Sequence, residues 1–436
     1  MKVVHFLPWA SPASRGGTEV FLMRLARSQS RAGYQVHIIC PNTRESFDEE
    51  TLEGVPVTYF PFPYGTSLAS FLAGRAPHPT TADFAGLVRK LDPDILHLHG
   101  MYPHFLPAFE RLDEKYRGRI VLTIHLVNVT CAKQTLIDRW NGPCAGKVEF
   151  AACSTCIASG PAASQMARLA NQLTIPVNAR AYRRFGTAIT PLLTPAQRRV
   201  DAQVRVVDFL RAHAHIDVLS PWFRPILDLN GFAPDRISGF DNPLFDRRSF
   251  CAAPARKQDP LRFLFVGRLT EQKGIGLVLE ALALLEPLKD RFSIDFVGRA
   301  EDEWARRIEA LRARGLRLEV RGEVAPGEMA AHYRANDYLL FASLSGEMLP
   351  LAVQEALAND LPVVGADLPA TRPLVHDGVN GFRFPANDSA ALGELMRALI
   401  EGSKGMGFRY TGPRELDGAR HDHYDRLYRK VRHGRP

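Results

Sequence analysis

The chain has 436 residues, 46% apolar and 23% charged, an ordinary soluble composition long enough for two domains of about 200 residues each. No apolar run approaches the roughly 20 residues of a transmembrane helix, and the opening MKVVHFLPWA reads as a buried strand, not a signal peptide, so a cytoplasmic protein is expected. The formal charge is +8, but its arginines do not alternate with aromatic residues as a base-stacking platform requires, which argues against a nucleic-acid partner.

In chain order, KVVHFLP, QVHIIC, PVTYF, DILHLH and IVLTIH read as buried strands. Between the first two, TEVFLMRLARSQSRAG has helical apolar spacing and ends on Gly33, a good helix stop. Residues 161–215 then carry eight arginines against Asp201 and Asp208, and the tail from Lys404 holds nine basic and four acidic residues. Attraction to an anionic membrane surface and a merely solvated basic surface are the two readings of this charge. The stretch 241–260, with three prolines and no apolar period, marks a domain boundary. Strand–helix alternation restarts with LRFLFVG, KGIGLVLEALALL, FSIDFVG, WARRIEALRARG, LRLEV, DYLLFAS, PLAVQEALAND and LPVVGA. This is α/β with two doubly wound Rossmann-like sheets, and ligands of such sheets bind beyond the carboxyl ends of the strands. The expected domains are 1–245, 255–408 and a final helical segment, 409–436.

Several residues at those strand ends carry charge or open backbone. Gly16 and Gly17 follow the first strand and open a helix, where backbone N–H groups favour a phosphate. The pattern is not G-x-G-x-x-G, and no acidic residue closes the second strand, which argues against an NAD enzyme. Arg268 and Lys273 in FVGRLTEQKG place two cations beside a helix start, a setting for a diphosphate; the Walker A spacing is absent. Glu347 and Glu355 stand eight residues apart, with Pro350 between them. The first is expected in a loop and the second inside a helix begun at the proline. The DPD at 92–94 is read as a strand-entry turn, not a metal site. His97 and His99 alternate with apolar residues, one of them expected to face the sheet interior.

RGGTE, DILHLH, VLTIH, FVGRLTEQKG, VRGEV and the E-x7-E of EMLPLAVQE occur in an order that resembles retaining glycosyltransferases of family 4, over nearly the whole chain. The resemblance implies the GT-B architecture, two facing Rossmann-like domains with an inter-domain cleft, and a final helix returning to the first domain. It implies that Glu347 faces the donor sugar and Glu355 the ribose hydroxyls, while Arg268, Lys273 and the amides around Leu349, Pro350 and Leu351 hold the diphosphate. Gly17, Gly298 and Val324 would complete the donor site, and His125 would act near the reaction centre. Cations and helix-terminal N–H groups stabilise a departing diphosphate, so no catalytic metal is expected. The chain departs from the family pattern at Met348, where glycine is frequent, and at Arg372-Pro373, where a glutamate is frequent.

Cys131, Cys144, Cys153 and Cys156 form C-x12-C-x8-C-x2-C. Disulfides are disfavoured in a reducing compartment, so structural zinc is the leading reading, with an iron–sulfur cluster or unligated thiols as alternatives. Cys40 and Cys251 read as ordinary apolar residues. The resemblance, taken with these features, implies a retaining transferase expected to act from a UDP- or GDP-sugar onto a growing envelope glycan or lipid-linked acceptor, peripheral to the membrane. An inert sugar- or nucleotide-binding partner subunit of the same fold is the alternative, and a nucleotide-sugar epimerase a weaker one.

Overall fold

Near-continuous apolar strand runs separated by amphipathic helices fold here as two parallel sheets, each covered on both faces. In the computed structural model, residues 1–433 are described apart from 10, 14–15, 43–45, 63–79, 137–143, 159–164, 256–258, 326, 345 and 414–416. The chain divides into two units, Met1–Phe240 with Leu416–Pro436, and Asp241–Glu415.

The first unit holds β1 (Lys2–Phe6), β2 (Gln35–Asn42), β3 (Asp48–Leu52), β4 (Val55–Pro61), β5 (Ile95–Leu98), β6 (Ile120–Ile124), β7 (Ala214–Val218) and β8 (Ile237–Gly239). They lie in the order β3-β4-β2-β1-β5-β6-β7-β8, all pairs parallel except β3 with β4. Strands that are both buried and almost wholly apolar were visible as runs; β5 and β6 are such strands. β3, almost wholly exposed DEETL, and β7, AHIDV with Asp217 fully buried, gave no such signal. The Gly17–Arg31 helix stops as expected: Gly33 takes φ +85°, with Gly33 N–H on Ser30 O and Tyr34 N–H on Gln29 O.

Helix Asp417–His433 belongs to this unit through buried polar contacts. Tyr424 Oη donates to Asp217 Oδ2 (2.7 Å) and contacts Thr123 Oγ1 (2.9 Å), while His423 Nε2 meets Asp217 Oδ1 at 2.7 Å. Tyr428 Oη accepts from Gln29 Nε2 (3.0 Å) and lies 2.6 Å from His97 Nδ1. A buried carboxylate is costly unless donors surround it, so the last helix satisfies groups the sheet leaves unpaired.

The second unit contains β9 (Phe250–Ala252), β10 (Leu261–Val266), β11 (Phe292–Val297), β12 (Leu318–Gly322), β13 (Tyr338–Phe341), β14 (Val363–Ala366), β15 (Gly381–Phe384) and β16 (Phe408–Tyr410). Six of these form a parallel sheet, β12-β11-β10-β13-β14-β15, while β9 and β16 pair antiparallel. Phe263, Phe265, Ile294, Phe296 and Leu340 pack with Ile275, Val278, Leu282 and Trp304 in its core. β9 lies inside the stretch 241–260 that sequence left without structure. Cys40 is buried as expected, but Cys251 on β9 is exposed, its Sγ directed at Arg409 O; an edge ribbon buries only alternate side chains.

Tyr424→Phe removes one donor from a fully buried carboxylate. It should lower unfolding free energy by about 1–3 kcal/mol, read by urea denaturation; an unchanged midpoint would show that this bond contributes nothing.

Candidate active site

In the second unit the charged residues singled out by sequence gather where β10 and β13 end. Gly267 (φ +137°) and Gly298 (φ +142°) follow β10 and β11, and a Cβ on Gly298 would overlap the carbonyl of Gly267, so two strand exits touch through bare backbone. Arg268 comes next, exposed and without a carboxylate partner among the described residues. A short turn, Glu271–Lys273, leads to Gly274 (φ +75°), which caps helix Ile275–Leu284; a Cβ there would overlap the carbonyl of Ala342 beyond β13.

That close approach delivers Lys273 to Glu347. Lys273 Nζ donates to Glu347 Oε1 at 2.6 Å, and Ser343 Oγ donates to the same oxygen at 2.9 Å. Ser343 Oγ also lies 3.2 Å from Gln272 O, and Leu344 N–H bonds Gln272 O at 2.9 Å, which ties the two loops together. The residues read separately as phosphate cation and sugar carboxylate are therefore partners in this state. Met348, where glycine was the frequent residue, is buried (1% exposed). Pro350 caps helix Leu351–Ala358, whose first-turn amides lack intrahelical acceptors. Glu347 is thus in the loop and Glu355 in the helix, where it accepts from Tyr333 Oη at 2.9 Å. Tyr333 and Ser343 carried no sequence signal; both come from residues with no motif of their own.

Other expected positions have different partners. Arg372 pairs with Asp367 (3.0 Å), which also binds Arg383 (3.2 Å). Val324 follows β12, two residues past Gly322 (φ +70°). Asp92 accepts from Lys115 and Tyr116, and Asp94 from the Lys2 N–H while pairing with Arg432, so the DPD acids fasten a turn.

In the first unit Gly17 opens its helix as expected, with Gly16 as the cap. Glu19, however, folds over that end: a Cβ on Gly16 would overlap its carboxylate, which accepts from Trp9 Nε1 at 2.8 Å. A carboxylate already uses the helix terminus that the sequence assigned to phosphate, and Arg15 lies outside the described residues.

His125 follows β6 and is half-buried. Its Nε2 lies 3.0 Å from His99 Nδ1, His99 Nε2 lies 3.0 Å from His5 Nδ1, and His5 Nε2 meets Gln29 Oε1 at 2.8 Å. His97 and His99 are both buried, not one of the two. Ring nitrogens of His5, His97 and His99 fall within 4.8 Å of one another, a grouping a metal could use. Every one of those six nitrogens already has a hydrogen-bond partner, His97 using Tyr428 and Thr123, so a metal would have to break bonds to enter. Burial pushes His5 down to about 4 and His125 to about 3, the latter helped by Arg420, and drives His97 and His99 well below the usual range. All four rings are neutral near pH 7. With Gln29 Oε1 accepting from His5, each ring in the row donates onward from one nitrogen, which leaves His125 protonated on Nε2 and a lone pair on Nδ1.

Comparison with known proteins gives this arrangement its context. Residues 15–168 match Glycosyltransferase Family 4 and residues 246–407 match Glycosyl transferases group 1. A phosphatidyl-myo-inositol mannosyltransferase of Mycolicibacterium smegmatis is 30% identical over 392 residues, 88% of this chain and 81% of that protein. The chain is a family 4 glycosyltransferase. Its match to the mannosyltransferase of the same name from Mycobacterium leprae is closer, 36% identical, but spans 31% of this chain and 36% of that relative. Sucrose-phosphate synthase from Thermosynechococcus elongatus shares the fold at 15% identity, with a TM-score of 0.61 over 99% of this chain and 98% of that one. The fold is GT-B, as the resemblance implied.

The neutral histidines give this family 4 member a pH signature. Unfolded, each ring titrates near 6.5; folded, each resists protonation until far lower pH. Stability is therefore full above pH 6.5 and lost as pH falls toward 4, each ring adding up to about 1.4 kcal/mol per pH unit. Denaturant midpoints at several pH values should drop steeply through this window and less steeply in His99→Gln. A midpoint that ignores pH there would contradict the assigned neutrality.

Proposed function

We propose that this enzyme transfers a sugar, with retention at the anomeric carbon, from a UDP- or GDP-sugar to a growing envelope glycan or lipid-linked acceptor. The observation that carries this is the Lys273–Glu347 pair, held by Ser343 beside an open helix terminus, with Arg268 on the same strand-end loop as Lys273 and exposed, without a carboxylate partner among the described residues. A nucleoside diphosphate entering there would draw Lys273 from the carboxylate to its phosphate oxygens. Arg268 and the amides near Leu349, Pro350 and Leu351 would share the charge that grows as the glycosidic bond to phosphate breaks. Glu347, released from its cation, would accept hydrogen bonds from the donor sugar, and Glu355, oriented by Tyr333, from the ribose. Backbone at Gly298 and Val324 would border the base. His125 is assigned to the acceptor side, where its Nδ1 lone pair can accept a hydrogen bond. No step calls for a catalytic metal. A lipid-linked acceptor agrees with the naming of the full-length relative for phosphatidyl-myo-inositol.

Calorimetry with UDP and GDP tests the assignment. Arg268→Ala and Lys273→Ala should each weaken binding by about 1.5–3 kcal/mol, the worth of a charged hydrogen bond. Glu347→Gln should keep nucleotide affinity and suppress transfer, whereas Glu355→Ala should lower nucleotide affinity too. Unchanged affinity in both cation variants overturns the diphosphate site, and the opposite pattern for the glutamates reverses their roles.

We further propose that Cys131, Cys144, Cys153 and Cys156 hold one structural zinc. The described residues fit a thiolate set. Cys153 and Cys156 lie one turn apart on helix Phe150–Ala158, and none of the four cysteines is in a disulfide. Burial, together with the neighbouring Cys131, Cys144 and Cys156, pushes the Cys153 thiol up to about 11, so the four are electrostatic neighbours. Gly146 N–H donates to Cys144 Sγ at 3.4 Å, a bond that stabilises a thiolate. Residues 137–143 of this loop lie outside the described residues. Bound zinc would keep the thiols ionised and supply folding energy to the loop. Metal analysis of protein prepared without chelator or added zinc should give one zinc per chain, lost in Cys153→Ser and Cys156→Ser while nucleotide binding persists; neither zinc nor iron would defeat it.

A further inference from the structure

Residues 150–200 contain six arginines, Arg168, Arg180, Arg183, Arg184, Arg198 and Arg199, and no acidic residue. Within this stretch helix Gln165–Phe185 has one face fastened to its neighbours. Ile175 is buried, Tyr182 stacks on Phe150 (4.1 Å between centroids) and donates to Asp201, and Asn178 donates to Gln197 of the next helix. The opposite face is apolar and bare. Leu169, Leu173 and Val177, four residues apart, are 57%, 68% and 65% exposed. At 100° per residue they form one stripe about 12 Å long, roughly opposite Ile175. Arg180 and Arg184 continue the same outward side, with Arg183 beside them, and none of the three has a carboxylate partner among the described residues. Phe185, the last residue of the helix, and Leu192 beyond it are exposed as well.

We propose that this outward face docks on an anionic lipid bilayer, the leucine–valine stripe entering the headgroup region and the arginines resting on the lipid phosphates. The proposal stands on this surface alone and does not depend on the transfer reaction. An apolar stripe closed by arginines, with no acid among them, is the composition of a helix lying in a membrane interface. The charge also argues against a second copy of the chain as occupant. A two-fold interface would set the same unneutralised arginines against each other, which is unfavourable in a desolvated contact. Asp201, the first acid after Glu149, cannot neutralise them, being 2% exposed and committed to Tyr182 and Thr190.

The test is co-sedimentation of the full chain with phosphatidylcholine vesicles, with and without about one third phosphatidylglycerol. Binding is expected only to the anionic vesicles, weakening as salt rises. Arg183→Gln and Arg184→Gln should each reduce partitioning roughly fivefold, and Leu173→Asp at least about tenfold. Since the arginines sit on the bare face near the helix end, those variants should keep the parent melting curve and so report binding alone. Absence of binding to anionic vesicles, or equal binding to neutral ones, overturns the proposal. So does light scattering that shows a dimer dispersed by Leu173→Asp, which would assign the stripe to a second copy.

Discussion

In a parallel sheet all strands run the same way, so all of their carboxyl ends and the turns that follow open on one edge. Neither face is free, because helices cover both, and chemistry is confined to that edge. The second unit uses it in full. Gly267 and Arg268 follow β10, Gly298 follows β11, Gly322 closes β12, and Ser343 to Glu347 follow β13. In the first unit His99 and His125 follow β5 and β6 in the same way. What brings side chains within bonding range at such an edge is loss of bulk. Gly274 can lie against the Ala342 carbonyl only because it has no Cβ, and the Lys273–Glu347 contact depends on that closeness.

Legibility from sequence followed burial. Strands buried on both faces, such as β5, β6 and β13, are apolar runs and were read with little error. β7 was missed because two of its five residues are His215 and Asp217, which look like surface residues until the partners brought by distant elements are known. β3 was missed for the opposite reason, since a charged edge strand buries almost nothing. The position of Glu347 in a loop and Glu355 in a helix could be read from Pro350. Their bonding could not, because Lys273 and Glu347 are 74 residues apart and neither spacing nor propensity reports which loops meet. The histidine row was half legible: HLH and TIH exposed two of its members, His99 and His125, but His5 and Gln29 were hidden inside an ordinary strand and an ordinary helix.

Two electrostatic regimes divide the candidate site residues. In the first unit the buried rings avoid charge by sharing protons along neutral hydrogen bonds, an arrangement that fixes orientation without opposing an anion. In the second, Lys273 and Glu347 are partly exposed, so their attraction is moderate and an incoming anion can compete for the lysine. A deeply buried pair would resist such exchange, since separating it would strand a charge.

Helix Asp417–His433 completes a unit whose other residues lie before Asp241. On the ribosome the two units therefore cannot finish in the order in which they are made. The second, contiguous in sequence, can close once its own residues have emerged, whereas the first must wait with Asp217 and His97 short of partners until the last helix arrives. Through that interval an assembled but incomplete sheet depends on water, or on a chaperone, to cover the surface that Tyr424 and Tyr428 will later occupy.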